Sequence, residues 1–218
     1  MKVKTLWSSG WPAECFSELW ANTAVVPEDL DKWKPSQGDA LVLWGGADIC
    51  PRYYHQRPTS HAHAYVPSPR DIREYDEANA AIERGIPIIG ICRGAQWLAI
   101  LAGGSLIQHV EGHIGDHPLI VKTREEKSYT TNSIHHQMMR VKHIPHELIA
   151  WTPKRSQVYE VDLLNATTVY PEEFENDPEI IFFPSIHGLG FQYHPEMMDT
   201  RDPTYVLSQE LIQSFIKE

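Results

Sequence analysis

The chain has 218 residues, 42% of them hydrophobic and 22% charged, which is typical of one compact folded domain and argues against a disordered chain. Its 29 acidic and 19 basic residues give a formal net charge of −10, and no basic patch of the kind found in nucleic-acid-binding proteins stands out. No apolar stretch approaches the roughly 20 residues that span a bilayer, and residues 1–10 lack the apolar run of a secretory signal. We therefore expect a cytoplasmic protein with a single domain over residues 1–218 that binds neither membranes nor nucleic acid.

Two short apolar runs in the first half each end in a turn of special composition. Ala40–Trp44 is followed by Gly45 and Gly46, and Ile86–Ile91 is followed by Cys92. Continuous apolar runs of this length are typical of parallel strands that are covered on both faces. Each run therefore predicts a buried strand that ends in a functional turn.

Apolar residues recur at helical spacing in two places near these runs. Asp71–Arg84 has such a stripe, ends at Gly85 and connects the two predicted strands as a crossover helix. Gly94–Ala102 has a second stripe and begins directly after Cys92. Strands that alternate with helices predict an α/β fold, a doubly wound and mainly parallel sheet with helices on both faces.

The rest of the chain contains mostly short strand patterns. The middle region has four of them, at Leu119–Lys122, Tyr129–Asn132, Leu148–Thr152 and Thr167–Tyr170. Ile180–Phe183 and Gly190–Tyr193 predict a pair of neighbouring strands, and Pro203–Ile216 predicts a closing amphipathic helix.

The sequence G-I-C-R-G at Gly90–Gly94 places a thiol where a predicted strand becomes a helix. A sharp turn there holds its central side chain above the sheet, and the N-terminus of the helix stabilises a thiolate. A lone cysteine after an apolar strand is more often a buried core residue, so both interpretations of Cys92 stay open on this pattern alone. The other cysteines, Cys15 and Cys50, complete an odd and sparse set that is typical of reduced thiols.

A base and a group to orient it come after the predicted strand near the C-terminus, in Q-Y-H-P-E at Gln192–Glu196. His194 is suited to take the proton of Cys92 and later to protonate a leaving group, and Glu196 is suited to hold the imidazole in the required tautomer. Alone, this pattern also fits a surface turn. Because the thiol and the base each follow a strand, together they favour a catalytic site.

The glycine turn after the first buried strand supplies a third element, G-G-A-D at Gly45–Asp48. Glycines at the carboxyl edge of a sheet allow a backbone N–H to point into the crevice where α/β folds bind ligands. We assign the Gly46 N–H to an oxyanion hole, with the N–H of Arg93 as the second donor. Considered alone, the G-G-A-D sequence is better explained as a plain β-turn with no catalytic role.

Four segments carry a resemblance to a known family: Gly45–Tyr54 (G-G-A-D-I-C-P-R-Y-Y), Arg70–Asp76 (R-D-I-R-E-Y-D), Ile86–Gln96 (I-P-I-I-G-I-C-R-G-A-Q) and Asn132–Gln137 (N-S-I-H-H-Q), all before Q-Y-H-P-E. Over about residues 40–196 the chain resembles the class I glutamine amidotransferase-like hydrolases with a Cys-His-Glu triad. The branch with γ-glutamyl-γ-aminobutyrate hydrolase and the γ-glutamyl hydrolases, peptidase C26, looks nearest. The resemblance implies a flavodoxin-like fold and hydrolysis of a γ-glutamyl amide through a γ-glutamyl thioester, with no cofactor.

Carried onto this sequence residue by residue, the resemblance makes Cys92 the nucleophile, His194 the base and Glu196 its orienting group. Gln96 resembles the family residue that contacts the γ-glutamyl group. Three further residues lie on the segment that borders the α-amino and α-carboxylate pocket in relatives, and are assigned to substrate binding: Ser133, His135 and His136.

The chain also departs from the family pattern. Ammonia-transferring members usually carry Pro before and after the two glycines, whereas this chain has Trp44 and Ala47 there, which favours a hydrolase of a small-molecule γ-glutamyl substrate. Residues 3–12 differ from the family's usual first strand. Two alternatives stay open: a glutaminase subunit that supplies ammonia to a synthetase or ligase partner, and a catalytically silent regulatory or scaffolding subunit. The intact Cys-His-Glu set argues against the second.

Histidines with metal-ligand spacing occur twice, as His61 and His63, and as His109, His113 and His117. The second spacing suits a helix, which the glycines and proline inside and after it would break. No cysteine pair or H-E-x-x-H sequence accompanies them. We therefore expect solvated loop histidines and no metal site.

Overall fold

The computed structural model describes residues 2–5, 24–26, 40–153, 155–163, 166–169 and 175–217. The helices in this part of the chain are α1 (Pro69–Glu83), α2 (Arg93–Leu101) and α3 (Pro203–Lys217). The strands are β1 (Lys2–Thr5), β2 (Ala24–Val26), β3 (Ala40–Leu43), β4 (Ile88–Ile91), β5 (Ser105–Ile107), β6 (His109–Val110), β7 (His117–Val121), β8 (Lys127–Thr131), β9 (Met138–Arg140), β10 (Glu147–Pro153), β11 (Tyr159–Leu163), β12 (Ala166–Val169), β13 (Asn176–Phe183) and β14 (Gly188–Phe191).

A nine-stranded sheet of order β2-β1-β3-β4-β14-β13-β10-β7-β8 forms the framework. The strands from β2 to β14 are parallel, and every pairing from β14 to β8 is antiparallel. The predicted α/β class is confirmed, with the refinement that the sheet is mixed. The parallel half carries β3, β4 and β14, whose carboxyl ends meet at one edge.

Helices cover both faces of this sheet, as predicted. Buried residues of α1 and α2 pack with Leu41, Leu43 and Ile88 on one face. Buried residues of α3 pack with Val42 and Ile89 on the other. The alternating direction of side chains along β3 therefore supplies both cores.

The helix predicted at Asp71–Arg84 begins two residues earlier because of a capping box. The Ser68 side chain accepts the Asp71 N–H, the Asp71 carboxylate accepts the Ser68 N–H, and Pro69 occupies the first turn. The helices predicted after Cys92 and at the C-terminus match α2 and α3 within one residue at each end.

Short strands account for most of the differences from the prediction. The structure adds β5, β6 and β9, which are too short to show a clear alternation. It also adds β11, whose sequence Y-E-V-D-L does alternate and was missed, and it has strands at β1 and β2, where none was predicted. The predicted pair near the C-terminus is confirmed as antiparallel β13 and β14. The strand predicted up to Tyr170 corresponds to β12, and Tyr170 itself lies outside the described residues.

Two predictions about the whole chain, on the state of the cysteines and on membrane-spanning segments, can be checked for the described residues. Cys50 and Cys92 are free thiols, and Cys15 lies outside the described residues. Within the described ranges, no helix combines the length and the apolar character needed to cross a bilayer.

Candidate active site

Cys92 occupies a sharp turn between β4 and α2. Its backbone has φ 51° and ψ −106°, in the positive-φ region that L residues rarely adopt. The turn is fixed from both sides, because the Cys92 N–H donates to the Phe191 carbonyl at 2.6 Å and the Cys92 carbonyl accepts the Gln96 N–H at 3.1 Å. A strained backbone that its surroundings hold in place is a frequent feature of reactive sites.

Gly94 allows α2 to start directly over the sheet. A Cβ at this position would lie 2.0 Å from the Leu43 carbonyl oxygen, so any side chain would push α2 away from β3. The second glycine of the G-x-C-x-G pattern is therefore required for the packing of the helix against the strand, and not only for the conformation of the turn. The turn around Cys92 is placed by this close approach of helix and strand.

His194 lies beyond the end of β14, directly before the 3-10 turn Pro195–Met197. Its Nδ1 lies 2.7 Å from Glu196 Oε1, and both side chains are buried. Nε2 is thus left to face Cys92. Burial opposes protonation, but hydrogen bonds and charge from Cys92 and Glu196 outweigh it and raise the pKa of His194 to about 10.

Asn132 fixes the backbone of His194 from both sides. Its Nδ2 donates to the His194 carbonyl at 2.8 Å, and its Oδ1 accepts the His194 N–H at 2.9 Å. No role for Asn132 was predicted from the sequence, although it begins the N-S-I-H-H-Q segment. The only signal was its place in that segment.

The Gly45-Gly46 turn packs directly on this pair. A Cβ at Gly45 would lie 2.6 Å from His194 Cε1, which explains why glycine is required here. Arg70 Nη2 donates to the carbonyls of Trp44 at 3.1 Å and Gly45 at 2.9 Å. Gly46 itself is exposed.

Arg93 lies beside Cys92 in the chain, but its guanidinium points into the protein and forms ion pairs with Asp71 and Glu74. Glu74 also accepts from Trp97 Nε1 at 2.8 Å and from Arg70 Nε at 2.7 Å. This network joins α1, the start of α2 and the glycine turn. It gives the R-D-I-R-E-Y-D segment a supporting role that the sequence did not predict.

The four residues assigned to substrate binding make different contacts. Gln96 Nε2 donates to the Gln137 carbonyl at 3.0 Å, and His136 Nε2 lies 2.9 Å from Asp48 Oδ1 at a half-buried position. Ser133 Oγ donates to the His113 carbonyl at 2.6 Å and His135 Nδ1 to the Gln137 carbonyl at 2.9 Å; both residues are buried.

The prediction that the spaced histidines are solvated is wrong for His113 and His117, which are 1% and 2% exposed. It holds for His61 and His63, whose side chains are 51% and 75% exposed, whereas His109 is half-buried and begins β6. The helix that the spacing was thought to require is not needed, because His113 lies in a loop and His117 begins β7. The expectation of no metal site rested in part on that helix, and this part of its basis is lost.

A cleft of about 350 Å³ lies beside the turn. It is lined by residues 47 and 48 of the glycine turn, by the segment that leads into α1, and by Arg93. Tyr65 and Val66 are exposed apolar residues on this lining. Ala47 and Arg93 follow Gly46 and Cys92 in the chain, so the cleft adjoins the turn that holds the thiol.

The chain is similar to several known proteins. The peptidase C26 family model matches residues 35–161. The glutamine amidotransferase-like protein YvdE of Lactococcus lactis subsp. lactis (strain IL1403) is 32% identical over 207 residues, which cover 84% of this chain and 78% of that protein. One of the subunits of the glutamine-hydrolyzing GMP synthase of Thermoplasma volcanium is 26% identical over 200 residues, covering 91% of this chain and 80% of that one.

Among solved structures, a GMP synthase subunit of Thermoplasma acidophilum superposes with a TM-score of 0.62. The match covers 99% of this chain and 92% of that chain at 18% identity, so it concerns the fold. The fold is that of class I glutamine amidotransferases. Since the family model and the sequence relatives agree, the chain belongs to the peptidase C26 family of class I glutamine amidotransferase-like proteins.

Proposed function

We propose that the protein hydrolyses a γ-glutamyl amide, either glutamine or a γ-glutamyl amine, through a γ-glutamyl thioester on Cys92. One observation carries this proposal: a thiol on a positive-φ turn between strand and helix faces an imidazole whose second nitrogen is held by a buried carboxylate. A nucleophile, a base and an orienting group in this relation are the parts of covalent amide hydrolysis.

In the acylation step, the thiolate of Cys92 attacks the γ-carbonyl carbon and a C–S bond forms. His194 is protonated at neutral pH because its pKa is raised to about 10. His194 then transfers its proton to the amide nitrogen, the C–N bond breaks, and ammonia or an amine leaves. The γ-glutamyl thioester stays on Cys92.

In the deacylation step, the neutral His194 takes a proton from a water molecule. The resulting hydroxide attacks the thioester carbon, and the C–S bond breaks to release glutamate and the thiolate of Cys92. Glu196 holds the ring through Nδ1 at 2.7 Å during both transfers. Water is the only co-reactant.

We assign the oxyanion of both tetrahedral intermediates to the N–H groups of Gly46 and Arg93. Gly46 is exposed at the edge of the sheet, and Arg93 is the first residue of α2, where backbone N–H groups have no partner within the helix. The ion pairs of the Arg93 side chain with Asp71 and Glu74 keep that N–H in place.

For the substrate, we assign Gln96 and His136 to direct contact and Ser133 and His135 to positioning. The Gln96 amide keeps an oxygen and one N–H beyond its bond to Gln137, and His136 reaches the half-buried Asp48. The hydroxyl of Ser133 and Nδ1 of His135 are used by backbone carbonyls, so these two residues shape the segment.

A second candidate function is a glutaminase subunit that supplies ammonia to a synthetase partner. The similarity to the GMP synthase subunit of Thermoplasma volcanium over 91% of this chain favours it. Such a subunit hydrolyses glutamine slowly until its partner closes the site.

The test is to assay the isolated chain against glutamine and a panel of γ-glutamyl amines, with glutamate release as the measurement. A free-standing hydrolase turns over at least one of these substrates without a partner. An electrophilic glutamine analogue should label Cys92 in either case. Labelling without any turnover would replace the hydrolase by the partner-dependent glutaminase, and absence of both would contradict the catalytic proposal.

A further inference from the structure

A second group of chemically capable side chains takes no part in the bond changes and proton transfers on Cys92 and His194. It consists of His113, His117, His135 and Glu179, and is called the histidine cluster below. We propose that the histidine cluster is a structural Zn²⁺ site with three imidazole nitrogens and one carboxylate oxygen as ligands. The proposal is independent of the reaction on Cys92.

The histidine cluster is assembled from four separate segments. His113 lies in the loop before β7, His117 begins β7, His135 lies in the loop after β8, and Glu179 lies in β13. An isolated bridge between residues 114 and 134, with a bond from the His135 N–H to the His113 carbonyl at 3.2 Å, brings the two loops together. All four residues are buried.

One nitrogen of each imidazole lies beside an oxygen atom that can only accept a hydrogen bond. His113 Nε2 lies 2.9 Å from Asp177 Oδ2, His117 Nδ1 lies 3.1 Å from the Pro118 carbonyl, and His135 Nδ1 lies 2.9 Å from the Gln137 carbonyl. Carbonyl and carboxylate oxygens accept hydrogen bonds, so these nitrogens carry the protons. An imidazole that carries only this proton presents a lone pair on its opposite nitrogen.

Those opposite nitrogens face one another and Glu179. His113 Nδ1, His117 Nε2, His135 Nε2 and both oxygens of Glu179 are buried without a hydrogen-bond partner. Four groups that present only lone pairs, one of them a carboxylate, repel each other in a site that excludes water. A cation at their centre removes this cost.

The distances suit a tetrahedral metal ion. One ligand atom from each residue can be chosen so that all four lie within 4.8 Å of one another. Glu179 Oε1 lies 3.3 Å from His117 Nε2 and 3.8 Å from His113 Nδ1. Zinc bonds of about 2.0–2.1 Å in a tetrahedron separate neighbouring ligands by about 3.3–3.4 Å, so the ligand atoms would move together by at most about 1.4 Å.

The charges around the histidine cluster also suit a divalent ion. Two carboxylates, Glu179 as a ligand and Asp177 behind His113, balance two positive charges.

The kinds of ligand atom in the histidine cluster indicate which metal ion would bind. Three imidazoles and one carboxylate suit zinc, whereas calcium and magnesium prefer oxygen ligands alone. Four protein ligands in a closed, buried site are typical of structural zinc. Asp48, His63 and His136 form another group that could hold an ion, but it lies at the surface and offers one ligand fewer.

The location indicates what the ion would stabilise. His135 belongs to the same segment as Asn132, which holds the backbone of His194, and as Gln137, whose carbonyl accepts from both Gln96 and His135. A metal bound to His135 would therefore hold this segment against β13 and β7. We expect it to support the site on Cys92 without touching substrate.

The test begins with the purified full chain, without added metal, and measures zinc by inductively coupled plasma mass spectrometry. We expect about one equivalent. His135→Gln and Glu179→Gln should each lower the affinity for zinc at least about tenfold. His136→Gln is the matched control, since it changes the neighbouring residue and disrupts the surface group, and it should keep the metal.

Two readouts need no variant. After removal of metal by a chelator, Co²⁺ titrated into the folded chain should give the intense visible bands of a four-coordinate ion. X-ray absorption at the zinc edge should show three nitrogens and one oxygen at about 2.0–2.1 Å. These measurements decide the matter if His135→Gln and Glu179→Gln do not fold.

Three results would overturn the proposal. One is loss of zinc in His136→Gln with retention in His135→Gln, which would place the ion at the surface. Another is a six-coordinate ion rich in water. The last is a folded wild-type chain that neither contains zinc nor binds Co²⁺.

Discussion

At the scale of single residues, Cys92 combines an unfavourable backbone conformation with a buried thiol. Its positive φ is unfavourable for a side chain with a Cβ, and its thiol is almost fully buried beside a charged pair. The hydrogen bond to Phe191 and the fit of Gly94 against Leu43 hold the backbone in this conformation. The strain is therefore maintained by neighbours in β14 and β3.

Replacement of the thiol tests its assignment. Cys92→Ala should abolish glutamate release, because no other group in the proposed reaction can form the thioester, and the variant should stay folded by circular dichroism. Cys50→Ala is the matched control, since Cys50 is also a buried free thiol, and it should retain nearly all activity. Turnover by Cys92→Ala above background would contradict the mechanism.

Glu196→Gln tests the electrostatic role of the carboxylate. The amide can still accept from Nδ1, but without the negative charge the pKa of His194 should fall by about one to three units. The alkaline limb of kcat/KM, which reports loss of the His194 proton near pH 10 in the wild type, should move to lower pH by the same amount. An unchanged limb would mean that Glu196 acts only through shape.

At the scale of elements, the site depends on the junction between the end of β8 and the end of β14. Asn132 follows β8 and His194 follows β14, and two hydrogen bonds of 2.8 and 2.9 Å join them. β8 lies at the edge of the antiparallel half of the sheet, whereas β14 belongs to the parallel half. Asn132 therefore connects the two halves at the proposed catalytic base.

Asn132→Ala should lower kcat by up to about 100-fold, because a displacement of His194 of about 1 Å is enough for such a loss. The measurement is kcat at saturating substrate together with the free energy of unfolding. Tyr193→Phe is the control, because Tyr193 precedes His194 in the chain. This variant loses the 2.8 Å hydrogen bond between Tyr193 and Ser208 and should lose about 1 kcal/mol of stability with little change in kcat. Equal kcat losses in both variants would indicate general loosening instead.

At the scale of the whole molecule, the three turns of the proposed site lie at the carboxyl ends of three adjacent parallel strands. Gly45 and Gly46 follow β3, Cys92 follows β4, and His194 lies beyond β14. β14 pairs with β4 although about a hundred residues separate them, and the intervening chain builds the antiparallel half. The site therefore forms only when the last third of the chain has joined the sheet.

The pH dependence of stability should reflect this assembly. The pKa of His194 rises from 6.5 to about 10 on folding, so its protonated form is favoured in the native state. Its contribution is complete below pH 6.5 and is lost as the pH rises toward 10. Urea unfolding should therefore give a stability advantage of wild type over Glu196→Gln that narrows between these limits, whereas a constant difference would contradict the shifted pKa.

The sequence was sufficient for the elements that local rules dictate. The two buried runs predicted β3 and β4, helical spacing predicted α1 to α3, and the glycines around Cys92 predicted the turn. It was insufficient for β5, β6 and β9, because two or three residues carry no periodicity and are strands only through their partners. The roles of Asn132 and Glu74 were equally out of reach, since each acts on a residue distant in the chain.

By itself the sequence determined the α/β class and the identity of the residues that face each other at the proposed site, because strand ends and glycine turns are encoded locally. Only the tertiary structure decided the surroundings. It buried His113 and His117 against Glu179, although their spacing predicted solvated loops, because the loops before β7 and after β8 meet across a single bridge. The burial of the histidine cluster depends on contacts between segments that are distant in the chain, and no local sequence pattern predicts such contacts.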